Sequence, residues 1–171
     1  WKLGSIDRGA LFKDMIKKTY EGPGVVTAQG TQTPYAYDEN TNTFYHCVSI
    51  NTFSDTYNRA GGFNAAPAGN TAKQGLDRGL EKINGAAQFA MEGGAVKTID
   101  QSRHKNVECL VVIPEDAPPE VETALLQNLT AKAQNYNSGA GGVTISYRIA
   151  RGGGNAKPDE TPAETPAQDA A

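Results

Sequence analysis

The chain has 171 residues, with 16 Lys and Arg against 19 Asp and Glu, a formal net charge of -3 and a mean hydropathy of -0.51. The basic residues are scattered apart from Lys13, Lys17 and Lys18, so the concentrated basic stripe of a nucleic-acid binder is missing and no nucleic-acid partner is expected. No stretch approaches the ~18 apolar residues of a membrane span, and two cysteines are too few for a disulfide framework.

The chain begins at Trp1 rather than Met, which reads as a processed or truncated product. Residues 1–5 resemble a cloning scar as much as native sequence and receive no functional weight. Ile6, Ala10, Leu11, Met15, Ile16 and Tyr20 then recur at helical spacing, predicting an amphipathic helix over 5–21 that Gly22-Pro23-Gly24 stops. The first unit is therefore 1–24. Its helix either packs on the domain or continues upstream into a membrane anchor.

A second unit, 25–150, reads as an α+β domain. Val25–Ala28 suits a short strand. Tyr35–Tyr37 and Thr43–Ile50 flank a polar turn and read as a hairpin of β-branched and aromatic residues. Residues 51–70 show no periodicity and read as a long loop. Asn70 or Thr71 can cap a helix running to about residue 92, with Leu76, Leu80, Ile83, Ala87 and Ala90 on one face. Gly75, Gly79 and Gly85 each cost about 1 kcal/mol against Ala in a helix, which points to a close approach by a neighbour.

Ala95–Ile99 and Val107–Ile113 follow as two strands joined by a polar connection, the second apolar on both faces and so central. Pro118 or Pro119 opens a helix carrying Val121, Leu125, Leu129 and Tyr136. Val143, Ile145, Tyr147 and Ile149 alternate with polar residues, as in a strand covered on one side. From Thr43 the order is β-α-β-β-α-β, which predicts a ferredoxin-like antiparallel sheet in spatial order 4-1-3-2, with the first helix and hairpin added. The third unit, 151–171, is a Pro/Glu/Thr/Ala tail expected to be disordered, because it cannot bury enough apolar area to offset its ordering entropy.

Few residues suggest chemistry. Cys47 and Cys109 fall on neighbouring strands, where a disulfide is a candidate, yet face parity places them on opposite sides of the sheet, as buried free thiols. His46 points away from Cys47, and His104 lies in a polar connection. No Cys/His spacing suits a metal, and no cofactor motif is present. Gly139–Gly142 follows a helix and opens a strand, the reverse of a phosphate loop. Glu115, Asp116, Glu120 and Glu122 suit a helix N-terminus.

Residues 31–63 gather aromatic side chains among Asn, Thr and Gly, so Tyr35, Tyr37, Tyr45 and Tyr57 are the candidate binding residues. The alternative is that these rings pin loops to the core. The expectation is a non-enzymatic periplasmic or extracellular subunit that binds a protein partner or self-assembles, such as the soluble part of a pilin-like or secretion-apparatus protein. A small enzyme or ligand-binding domain with a loop-built site is the alternative.

Overall fold

The computed structural model describes residues 5–20, 22–30, 33–139 and 142–154. The expected tail lies almost wholly outside them. The elements in chain order are α1 (Ser5–Thr19), β1 (Val25–Thr27), β2 (Ala36–Asp38), β3 (Thr43–Ser49), β4 (Asn58–Arg59), β5 (Gly62–Phe63), α2 (Ala65–Gly85), β6 (Gln88–Ala90), β7 (Val96–Thr98), β8 (Lys105–Ile113), α3 (Pro119–Asn137) and β9 (Val143–Arg151). The protein is a mixed α+β fold.

The main sheet has the order β1-β2-β3-β8-β9. β1, β2 and β3 pair antiparallel, while β3–β8 and β8–β9 are parallel. This corrects the ferredoxin-like expectation. The segment expected as the second strand of an antiparallel sheet, now β7, instead pairs with β6 as a separate hairpin. With β7 removed, α2 and α3 each connect parallel neighbours. Both crossovers step the same way across the sheet, so the usual handedness puts both helices on one face.

Local chemistry explains where the helix boundaries moved. α2 starts at Ala65 because the Asn64 side chain accepts a hydrogen bond from the Ala66 N–H, six residues before the expected cap. It stops at Gly85, which frees Gln88–Ala90 to extend and pair. The residues 51–64 that were expected as loop are organised by Asn58, whose amide donates to the Thr52 and Ser54 carbonyls. Between β2 and β3, Asn42 adopts φ 52°, a left-handed conformation that Asn tolerates. Its buried side chain accepts from the Tyr37 hydroxyl and donates to the His104 carbonyl.

Strand alternation divides the core in two. Phe44, Val107, Cys109, Val111, Ile113 and Ile145 face α2 and α3, meeting Leu76, Leu80, Ile83, Leu125 and Leu129. The β6–β7 hairpin covers the other half of this face, with Phe89 5.7 Å from Tyr37 and Tyr37 stacked 4.7 Å from Phe44. Cys47, Leu110 and Val112 point the opposite way and are covered by Phe12, Met15 and Ile16 of α1. The amphipathic first helix therefore packs on the domain. Among the described residues no helix is long and apolar enough to cross a membrane.

The glycines of α2 mark close contacts. A Cβ on Gly75 would stand 2.6 Å from a Val48 methyl, and one on Gly79 would stand 3.0 Å from the His46 ring. The neighbour that approaches is thus a β3 side chain.

Candidate interaction site at the open sheet edge

The four candidate tyrosines do not form a surface. Tyr35, Tyr37, Tyr45 and Tyr57 are all buried. Tyr35 meets Phe12 edge-on at 5.8 Å, and Tyr45 stacks on Tyr20 at 4.4 Å. Tyr37 and Tyr57 donate their hydroxyls to Asn42 and Thr71. Burial of the rings is favourable, so they pin loops and cannot present an exposed contact patch. The exposed-tyrosine expectation is corrected on that ground.

The candidate disulfide is likewise absent. Cys47 and Cys109 are free and buried. Cys109 stands opposite His46 in the ladder and Cys47 opposite Leu110, so the two thiols lie on different faces of the sheet. Burial pushes both thiols up, well away from the reactive thiolate. His104 bonds the Thr144 hydroxyl at 2.8 Å, and no group of His, Cys, Asp and Glu among the described residues could hold a metal.

The unclaimed backbone chemistry lies at β9. This nine-residue strand is the sheet's edge, bonded on one side to β8. The Gly142 carbonyl accepts from Lys105 and the Gly152 N–H donates to Ile113. Even-numbered residues therefore turn their backbone groups toward β8, and odd-numbered ones turn theirs outward.

One outward position is filled. The Asn137 side-chain amide donates to the Ile145 carbonyl at 2.9 Å and accepts from the Ile145 N–H at 2.8 Å. It stands where a residue of a neighbouring strand would. Toward the other end, Arg151 forms a two-pronged pair with Glu122 of α3, at 2.9 and 2.7 Å, and also donates to the Ala117 carbonyl. Between these two clamps, the outward N–H and C=O groups of Tyr147 and Ile149 have no partner among the described residues.

The same two clamps bound the outer side of α3. There Thr123, Leu126, Gln127, Thr130, Ala131 and Gln134 line a shallow groove of about 610 Å³. Leu126 is 38% exposed, one of two large apolar side chains so exposed among the described residues. The helix turns its charged Lys132 the other way, where it bonds Asn70 of α2. The half-buried Tyr147 packs against the core, and burial, with Cys109 and Asp77 adding, holds its hydroxyl above the ordinary tyrosine range. It stays neutral. The site thus offers unpaired strand hydrogen bonds beside a helix face whose one carboxylate, Glu122, is held by Arg151, which is chemistry for holding an extended chain.

The one-sided strand was legible in the sequence, whereas its neighbour was not: β9 lies beside β8, and the exposed Leu126 of α3 was not foreseen.

No protein-family model matches the chain, and no curated protein matches it. Among solved structures, it aligns with a CdiA-CT/CdiI toxin and immunity complex from Yersinia pseudotuberculosis, at 11% identity and a TM-score of 0.45, over 81% of this chain and 98% of that one. Likeness at that level transfers no residue role. At a TM-score of 0.45 the likeness carries no argument about function, and the expectation of a pilin-like or secretion-apparatus subunit is withdrawn on this chain's own structure. That expectation leaned on the amphipathic first helix and on an exposed aromatic loop region, whereas α1 packs on the sheet and the four tyrosines are buried.

Proposed function

We propose that this chain is a protein-binding domain that receives an extended segment of a partner along β9, flanked by the outer face of α3. The observation that carries the reading is the unpaired outward backbone of Tyr147 and Ile149, beside exposed Leu126. A bare strand edge is a template for another chain, and proteins commonly blunt it with charge, proline or a cover. Here Asn137 and the Arg151–Glu122 pair blunt only the two ends. Partner backbone groups would supply affinity through the strand ladder, and an apolar partner side chain would bury Leu126.

A photo-reactive residue at position 126 tests this, with the same residue at exposed Lys82 on α2 as the control. Position 126 should capture a partner that position 82 does not. In the complex, amide exchange at Tyr147 and Ile149 should slow, and Leu126→Arg should weaken binding about tenfold or more, corresponding to loss of one buried leucine contact. A partner captured at 126 that leaves those two amides unprotected would remove strand addition from the account.

A further inference from the structure

His46 is 6% exposed and lies between β3 and α2, outside the proposed interaction site. Its ring fits over Gly79, where a Cβ would stand 3.0 Å away, and Nε2 lies 3.2 Å from the Gly75 carbonyl. Nδ1 is buried with no hydrogen-bond partner. One ring nitrogen therefore meets an acceptor and the other meets nothing. That arrangement suits a neutral imidazole carrying its proton on Nε2, since a protonated ring would bury a second N–H without an acceptor.

Burial and two like charges oppose a positive charge on the ring and outweigh the Gly75 carbonyl, which favours one. From α2, the charges acting on His46 are Lys82 and Arg78, both of its own sign. From β8 it faces the Cys109 thiol, its partner in the ladder. From the segment preceding β2 it meets the Tyr35 ring at 6.2 Å. Asp77, the carboxylate on the adjoining turn of α2, is paired with Lys73 at 2.7 Å. No carboxylate is among the groups acting on the ring.

We propose that His46 is an acid-sensitive latch, which holds α2 on the sheet while neutral and releases α2 when protonated. Release would uncover the β3 half of the apolar face, while β8, α3 and β9 keep their mutual packing. Burial first, with Lys82 and Arg78 adding, lowers the His46 pKa from 6.5 to about 4 in the closed form. An opened α2 restores the ordinary value. The closed state is therefore fully favoured above pH 6.5 and loses ground as pH falls toward 4. From those two values the closing equilibrium weakens about 20-fold between pH 7 and pH 5, and about 300-fold from the fully neutral to the fully protonated ring.

The test is residue-resolved amide exchange on the whole chain from pH 7 to pH 5, corrected for intrinsic rates, with the imidazole titrated by NMR from pH 7 to pH 3. Protection in α2 should fall about 20-fold between pH 7 and pH 5 while that of β8 and α3 holds, and the imidazole should titrate near pH 4. His46→Leu should remove the pH dependence of α2. Equal losses in α2, α3 and β8 would make the transition global and overturn the latch. An imidazole titrating at pH 6 or above, or an unchanged pH response in His46→Leu, would overturn it too. If that variant does not fold, the wild-type titration and α2 protection still decide.

Discussion

The two faces of the main sheet are covered differently. On one, α2, α3 and the β6–β7 hairpin interlock with every strand of the sheet, and both helices are tied into the chain by crossovers at each end. On the other, α1 with Tyr20 covers Tyr35, Ala36, Tyr45, Cys47, Leu110 and Val112. Glu92 tethers it, accepting from Thr27 and pairing with Lys13 and Lys17 at 3.3 and 2.9 Å. The difference teaches that the first face should set global stability, and the second should open locally.

Substitutions on the two faces sharpen this contrast. Phe44→Ala, in the centre of the α2–α3 face, should cost about 3–5 kcal/mol of global stability in chemical denaturation. Ile16→Ala, fully buried under α1, should instead act locally. Labelling of Cys47 at pH 8 should speed up by about 10- to 100-fold, corresponding to a loss of roughly 1.4–2.8 kcal/mol in α1 docking, while Cys109 stays unreactive. Equal labelling of both thiols would show that the faces open together.

The glycines of α2 give a smaller and signed comparison. Gly79→Ala pushes a methyl into the His46 ring and should destabilise by about 1–3 kcal/mol. Gly85→Ala meets nothing within 4 Å and should stabilise by up to about 1 kcal/mol. Thermal melts of the two variants should therefore move in opposite directions. The smallest effect is expected at Glu92→Gln, which loosens an exposed clamp. The Thr27 hydroxyl and then Lys17 and Lys13 hold the Glu92 carboxyl down to about 2, so it stays ionised across the pH range of ordinary work. Cys47 labelling should rise slightly in Glu92→Gln and lose its sensitivity to salt.

Much of the local structure was legible in the residues. α1, β3, β8, α3 and β9 fall close to the spans their periodicity predicts, because each carries its own apolar pattern and its own stop signal. The parity of Cys47 and Cys109 could also be read, since alternation along a strand is a local property. The partner of each strand was not legible. β7 has only three residues and an exposed Val96, too little apolar area to hold a place in the main sheet, yet its β-forming residues read like those of a sheet strand. Losing that one strand turns the β3–β8 pairing from antiparallel to parallel and moves β9 from beside β3 to beside β8. The aromatic segment misled for a related reason, since residue type cannot tell an exposed tyrosine from one whose hydroxyl finds Asn42 or Thr71. The expected order also left the last strand at an edge, but beside β3. Only the true order sets it next to α3, with Leu126 and Asn137 bordering its open side.

The open edge itself can be tested on the free protein by amide hydrogen exchange along β9. Ser146 and Arg148, bonded to β8, should exchange slowly, and Ile145 should be protected by Asn137. Tyr147 and Ile149 should exchange far faster than their neighbours. In Asn137→Ala, Ile145 should join the fast group while Ser146 and Arg148 remain slow. If Tyr147 and Ile149 exchange as slowly as Ser146 and Arg148 in the isolated chain, the edge is already covered and the proposed binding site does not exist.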